Sequence, residues 1–156
     1  MNTQSFFQND PSDCLSIMNA CNAMSAQYRS ILRELGQANH LSENEMLVLI
    51  HLASYPEACT QKKLQGTNLE LSLSSICRMV ESLRQKEYLS TALDMNDRRS
   101  WILHLEQPGE ALTDEFFHRL GQRLDEIIAN IPGFDAKIFL AMITRVGIAA
   151  NQLDRS

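Results

Sequence analysis

"LDMNDRRSWILHL", residues 93–105, carries two adjacent arginines on a polar turn between two short apolar runs. This pattern predicts a β-hairpin with strands at about 88–93 and 100–105. The tip of such a turn faces water, so Arg98 and Arg99 are not placed there to be buried. The turn is therefore either an ordinary solvated hairpin or a device that aims positive charge at a negative partner.

Helical patterns lead up to this hairpin. The capping box "SENE" starts at Ser42 and opens a helix that closes before Pro56. A short helix, "TQKKLQG", runs from Thr60 to Gly66, and "LSLSSICRMVESLRQKE", residues 71–87, predicts a longer one. Helices followed by strand, turn and strand are typical of a winged helix-turn-helix, whose second helix enters the major groove of DNA.

Long amphipathic helices are predicted on both sides of this middle section. Apolar residues recur every three or four positions after the cap Asp13 and stop near Gly36. A fifth helix starts at Pro108, "PGFD" at 132–135 breaks it, and a sixth follows. Residues 1–12 show no such periodicity and are predicted to be a flexible tail.

The composition limits the class of protein. The chain has 156 residues, of which 44% are hydrophobic, enough for one domain with a real core. It holds no apolar run of membrane-spanning length and no leader pattern at its start, so we expect a cytoplasmic protein with reduced cysteines. The net charge is −5, yet residues 60–105 carry seven basic residues against five acidic ones. The positive charge thus gathers around the hairpin.

The predicted fourth helix has two unlike faces when its residues are placed 100° apart. The inward residues are Ile76, Met79, Val80 and Leu83. The outward residues are Ser74, Arg78, Glu81 and Gln85. Serine hydroxyls can bind phosphate oxygens and an arginine can pair with guanine, but any surface helix has a polar outer face. Glu81 would repel phosphates unless it pairs with a cytosine amino group or a nearby cation.

Three segments resemble the multiple-antibiotic-resistance regulator (MarR) family of bacterial transcription factors. They are "LSENEMLVLIHL", "LSLSSICRMVESLRQKEYL" and "DMNDRRSWILHLEQPGEAL". The resemblance implies a mainly α fold with a winged helix-turn-helix lobe at 41–106 and dimerisation helices at 13–37 and 107–153, all in one continuous domain. It also implies a homodimer that binds pseudo-palindromic double-stranded operator DNA, most simply as a repressor. Glu87 departs from the family, because a glycine usually ends the recognition helix there.

The resemblance also implies which residues meet DNA. They are Ser72, Ser74, Ser75, Arg78 and Arg84 on the recognition helix, and Asp97, Arg98 and Arg99 on the wing. The minor groove admits one extended side chain, and arginine is attracted to the negative potential of narrow A·T-rich grooves. We expect Arg99 to enter the groove, Arg98 to bind a phosphate, and Asp97 to orient Arg99.

Control of the regulator has two candidate routes. "CLSIMNACNAMSAQYRSIL", from Cys14, resembles the first helix of the organic-hydroperoxide-resistance branch, in which a cysteine and a tyrosine fourteen residues later form a redox sensor. Here that pair is Cys14 and Tyr28; the alternative is that Cys14 and Cys21 only fill the apolar stripe. The second route is a small aromatic ligand between the dimerisation helices and the DNA-binding lobes. Scattered histidines predict no metal site, and no cofactor is expected.

Two other classes of protein bear on the same sequence. A dimeric adaptor that docks a protein partner would also need long apolar helices. Acidic residues near the recognition helix are compatible with such an adaptor, because it would not have to bind DNA. Strong salt dependence of binding would distinguish a DNA-binding regulator from such an adaptor, because DNA binding releases counterions and a protein interface need not. An enzyme is not expected, since the chain has no glycine-rich phosphate loop, no Ser-His-Asp arrangement and no paired carboxylates in a cleft motif.

Overall fold

Six helices and one β-hairpin form the part of the chain that the computed structural model describes, residues 11–55, 60–65, 71–95, 97 and 100–153. The elements are α1 (Pro11–Ala38), α2 (Glu43–Ser54), α3 (Gln61–Gln65), α4 (Leu73–Gln85), β1 (Leu89–Leu93), β2 (Trp101–Leu105), α5 (Gln107–Ala129) and α6 (Ala136–Leu153). The predicted order of elements and the mainly α class are confirmed. The predicted wing arginines Arg98 and Arg99 lie outside the described residues.

The chain divides into two compact units, Met1–Leu120 and Gly121–Ser156. The core of the first unit gathers apolar side chains from every element it contains. They are Ile31, Leu32, Leu35, Leu41, Met46, Val48, Leu49, Leu52, Leu64, Ile76, Val80, Leu83, Leu89, Leu103, Leu112 and Phe116. The Tyr28 ring packs edge-on against Phe116 with ring centroids 5.8 Å apart, which joins α1 to α5.

The hairpin is an antiparallel pair in a single register, from Leu89 opposite Leu105 to Leu93 opposite Trp101. Leu89 at the inner end is buried, whereas Trp101 at the outer end is half exposed. A bridge between Thr60 and Ile102 adds one residue of a third strand beside β2. The wing therefore leaves the core at its inner end and reaches into solvent at its outer end.

The two ends of α1 differ from the prediction. The helix starts at Pro11, so Asp13 lies in its first turn instead of capping it; proline suits the first helical position because its missing N–H would have no partner there. Gly36 does not stop the helix, which continues to Ala38. A Cβ on Gly36 would lie 2.8 Å from the carbonyl oxygen of Leu41, so the glycine serves close packing of the chain.

Both α1 and α4 end in a Schellman motif whose left-handed residue is not glycine. After α4, Tyr88 N–H donates to the Leu83 carbonyl (2.9 Å) and Glu87 N–H to the Arg84 carbonyl (3.1 Å). Glu87 itself takes a φ of 63°, and His40 takes 55° after α1. The helix thus closes as glycine-ended helices do, with Glu87 bearing the steric cost of the left-handed conformation.

Replacing Glu87 with glycine is expected to stabilise the protein by about 1 kcal/mol, because glycine adopts positive φ without a Cβ clash. Urea denaturation at fixed protein concentration measures the change. Glu87→Ala is the matched control, since it removes the carboxylate but keeps the Cβ. Equal stabilisation by both variants would show that charge, and not backbone strain, is relieved.

The second unit holds the last turns of α5 and all of α6. Large apolar side chains of α6 stand exposed in the single chain: Ile138, Leu140, Met142, Ile143, Val146 and Ile148. The Phe134 and Phe139 rings lie 5.1 Å apart around the break between the helices. In the first unit the N-terminal half of α1 likewise exposes Leu15, Ile17, Met18 and Met24. No helix among the described residues is long and apolar enough to cross a membrane.

Candidate nucleic-acid interface

The start of α4 is a cluster of three serine hydroxyls. Ser72 is the N-cap, and its Oγ accepts from the N–H of Ser75 at 3.2 Å. The same Oγ lies 3.0 Å from Ser74 Oγ and 2.9 Å from Ser75 Oγ. Ser72 therefore starts the helix and orders the two hydroxyls beside it. These hydroxyls and the positive end of the helix suit an anionic oxygen.

The rest of α4 divides into the two predicted faces. Ile76, Val80 and Leu83 are buried and Met79 is half-buried, whereas Arg78 is exposed. Arg78 thus points to solvent one turn after the serine cluster. Small side chains followed by one long cation form a surface that can approach a groove closely.

Arg84 pairs with a residue of its own helix. Its Nε donates to Glu81 Oε2 at 3.0 Å and its Nη2 to Glu81 Oε1 at 2.9 Å. Hydrogen bonds from Arg84 and from the Gln85 amide lower the pKa of Glu81 to about 2. Glu81 therefore has the nearby cation that would offset its repulsion of phosphates. The pairing also engages the Arg84 guanidinium, which was predicted to contact DNA.

Short helix α3 adds residues that the sequence prediction missed. Lys62 and Lys63 are exposed on it, and Gln61 Oε1 accepts from Cys77 Sγ of α4 at 3.4 Å. Cys77 is exposed. The adjacent lysines were a visible signal, since the helix before a recognition helix crosses the DNA backbone.

The described part of the wing turn is held by Asp97 and Ser100. Ser100 Oγ donates to Asp97 Oδ2 at 2.8 Å, and Ser100 N–H donates to the Asp97 carbonyl, also at 2.8 Å. The N–H of Asp94 donates to the Ser100 carbonyl at 3.0 Å, which closes the turn. Asp97 is exposed. The expected pairing of Asp97 with Arg99 stays a prediction.

Beneath α4 lies a polar cluster centred on the buried Glu45, which we call the Glu45 clamp. Glu45 Oε2 accepts from Ser42 N–H (2.7 Å) and Ser42 Oγ (2.9 Å), which completes the predicted capping box of α2. Glu45 Oε1 accepts from Ser82 Oγ (2.6 Å) and Lys86 Nζ (2.9 Å), both near the end of α4. Lys86 Nζ also donates to the His40 carbonyl at 3.1 Å. The clamp therefore joins α4 to the corner between α1 and α2.

The two residues of the predicted redox pair lie on one helix. Cys14 is exposed in the first turns of α1, whereas Tyr28 is half-buried and burial raises its pKa. Because α1 is continuous, the fourteen residues between them span about 21 Å. Within one chain the structure does not bring them together.

A cavity of about 380 Å³ lies between α2, β2 and α5. Its lining is Leu52, Ala53, Leu103, His104, Leu105, Glu110, Thr113 and Asp114. Apolar residues from the core form one part and a histidine with two carboxylates forms another. Among the described residues no group of histidine, cysteine and carboxylate side chains could hold a metal ion.

A serine-lined helix start, an exposed arginine, a short preceding helix and a two-stranded wing define this chain as a winged helix-turn-helix protein. No family model matches it. It is 28% identical over 132 residues to the HTH-type transcriptional regulator MhqR of Bacillus subtilis, covering 83% of this chain and 90% of that protein. The chain is similar to transcriptional regulators of the MarR family.

Solved structures share the fold. A MarR transcriptional regulator from Methanosarcina mazei Go1 is 15% identical with a TM-score of 0.67, covering 90% of this chain and 98% of that one. The S. aureus MepR–DNA complex is 13% identical with a TM-score of 0.60, covering 83% of this chain and 96% of that one.

Proposed function

We propose that this protein is a DNA-binding repressor that recognises pseudo-palindromic operator DNA as a homodimer. The observation that carries the proposal is the face of α4 with exposed Ser74 and Arg78 and half-buried Ser75, in a chain that continues into a two-stranded wing. The shared fold with S. aureus MepR, which was solved in complex with DNA, supports DNA as the partner.

Each part of this surface has a distinct task in the proposal. Ser74 and Ser75 bind phosphate oxygens at the start of α4, and Arg78 contacts a base edge in the major groove. Arg99 enters the minor groove from the wing and Arg98 binds a phosphate. Lys62 and Lys63 of α3 face the DNA backbone.

Loss of the wing arginine tests the proposal most directly. Arg99→Ala is expected to weaken operator binding by about 1–3 kcal/mol and to lower the slope of log affinity against log salt by about one unit. Titration with the DNA upstream of its own gene, at several salt concentrations, measures both. Arg123→Ala, on α5, is the control for lost positive charge. Unchanged binding by Arg99→Ala would refute the wing contact, and wild-type affinity without salt dependence would favour the protein adaptor.

Arg78→Ala is expected to weaken binding to the operator more than binding to random DNA. The reason is that a base contact discriminates between sequences whereas a phosphate contact does not. The same titration on both DNAs measures the two losses. Equal losses would make Arg78 a backbone contact instead of a base contact.

The homodimer is proposed from the apolar residues that the single chain leaves exposed on α1 and α6. Each Leu or Ile side chain is worth about 1.5–3 kcal/mol on burial, which favours covering these helices with a second copy. A two-fold dimer also places two copies of α4 on two half-sites. Sedimentation at micromolar concentration checks the assembly, and a monomer there would contradict it.

Release from DNA is proposed to follow oxidation of Cys14, with a small aromatic ligand as the other route. The support is the exposure of Cys14 near the N-terminus of α1, where an oxidant can reach the thiol. Hydroperoxide is expected to weaken operator binding of wild type, thiol reductant to restore it, and Cys14→Ser to stay bound; Cys21→Ser should still respond. Release by a phenolic compound but not by peroxide would leave Cys14 without a role.

A further inference from the structure

The recognition helix is fastened at the end opposite its DNA-facing start. Ser82 and Lys86, one turn apart near the end of α4, both donate to one carboxylate oxygen of Glu45. Lys86 also holds the His40 carbonyl, and Tyr88 Oη donates to Asn39 Oδ1 at 3.3 Å. These four hydrogen bonds therefore reach either the turn that follows α1 or the first turn of α2.

Stability alone does not account for an ion pair in this place. Glu45 is 6% exposed, so its charge has been taken out of water. Two apolar side chains of similar size are often as stable as a buried ion pair, because they avoid that desolvation. The hydrogen-bonded ion pair also fixes the relative orientation of the two helices. Hydrogen bonds hold donor and acceptor within a few tenths of an ångström, whereas apolar contacts allow larger shifts.

The orientation of α4 matters because a small tilt at its C-terminal end displaces the serines at its N-terminal end. Ser82 is eight residues from Ser74, which corresponds to about 12 Å along the helix axis. A tilt of about 10° at the clamped end would move the serine cluster by about 2 Å over that length. Such a displacement exceeds the tolerance of a base-edge hydrogen bond, whose donor and acceptor must lie within about 0.5 Å of their best distance.

We propose that Glu45 and Lys86 are positioning residues for DNA recognition, setting the angle of α4 against the end of α1. The inference rests on the proposed function for its effect on DNA. The angle itself is a property of the protein alone. The clamp makes no contact with DNA in this scheme and acts only through the placement of Ser74, Ser75 and Arg78.

The test replaces the clamp with an apolar pair of similar size, Glu45→Leu with Lys86→Met. The ratio of affinities for operator and random DNA is measured under conditions where each variant is fully folded. We expect the ratio to fall about tenfold, equivalent to 1.4 kcal/mol, while binding to random DNA changes little. A purely structural role would leave the ratio of a folded variant unchanged. Lys86→Arg keeps charge and donors and is expected to retain most of the ratio.

The matched control is the other ion pair at the corner of α1 and α2. Arg29 Nη1 lies 3.0 Å from Glu43 Oε1, and this ion pair joins α1 to α2. Arg29→Met with Glu43→Leu is expected to keep the ratio within about twofold of wild type, because exposed pairs contribute little. If the Glu45→Leu, Lys86→Met protein does not fold, Lys86→Met alone serves, since Glu45 keeps its serine donors. A folded clamp variant with a wild-type ratio would overturn the proposal.

A measurement without DNA separates this inference from the proposed function. Cys21 on α1 and Cys77 on α4 are both exposed and take nitroxide labels once Cys14 and Cys59 are serine. Pulsed electron resonance, in a large excess of unlabelled chain, then reports the distance between α1 and α4. We expect the distribution to broaden or shift in the clamp variant. If wild type shows no preference for operator over random DNA, the proposed function fails. An unchanged distance distribution in the clamp variant would refute the positioning role, whatever the result with DNA.

Discussion

Replacing Glu45 with alanine is expected to lower the free energy of unfolding by about 2–4 kcal/mol, because it removes one partner of a buried, hydrogen-bonded charge pair. Four donors from Ser42, Ser82 and Lys86 lose their acceptor at once. Urea denaturation at fixed protein concentration measures the change. Glu43→Ala is the control, since its partner Arg29 is largely exposed and the loss should stay below about 1 kcal/mol.

The difference between wild type and Glu45→Ala should shrink in acid. Burial alone would raise the pKa of Glu45, but hydrogen bonds from Ser82, Ser42 and Lys86 outweigh it and lower the pKa from 4.5 to about 2. Because the folded pKa lies below the unfolded value, the stabilisation is fully present above about pH 4.5 and is lost as the pH falls towards 2. A difference that stays constant over this range would mean that packing, and not ionisation, accounts for the loss.

Gly109→Ala is expected to destabilise the protein by about 3 kcal/mol through overpacking. Gly109 is buried in the first turn of α5, where an added Cβ would collide with the backbone carbonyl of Tyr88 and lie 3.2 Å from Leu105 Cδ2. That carbonyl cannot move aside freely, because it accepts the N–H of Glu106 at 3.1 Å. Thermal and urea denaturation both measure the loss.

Gly121→Ala, further along α5, is the control for Gly109→Ala. A Cβ there meets no atom within 4 Å in the single chain. Alanine favours the helix over glycine, so this variant is expected to gain about 0.5–1 kcal/mol if its site stays open. Opposite signs at the two glycines would confirm that close packing fixes Gly109. Stabilisation by both substitutions would show that the Tyr88 carbonyl shifts to accommodate the Cβ added at Gly109.

Features specified by neighbouring residues could be predicted from the sequence. The capping box at Ser42 follows from a four-residue pattern, and the buried face of α4 follows from a repeat every three or four residues. The order of helices and wing strands followed in the same way. These predictions succeeded because each depends on contacts within a few positions along the chain.

Features that depend on distant residues could not be predicted in the same way. The second set of partners of Glu45 lies about forty positions away, so the pattern that revealed its cap gave no sign of the clamp. The pattern placed the end of α1 near Gly36, but it gave no sign that this glycine serves a close approach by Leu41. Arg84 is a different case: its i,i+3 spacing from Glu81 was visible, and a local ion pair was the simpler prediction.

Trp101, half exposed at the outer end of the hairpin, is the chain's single tryptophan. Light absorbed by indole is therefore emitted from the wing alone, because no second indole contributes background. Trp101 fluorescence therefore reports on the wing without an added dye. Rapid mixing with DNA can measure how fast the wing binds in a groove. Emission that changes on mixing with operator at a rate proportional to DNA concentration would mark the bimolecular encounter, and a slower phase independent of concentration would mark settling of the wing afterwards.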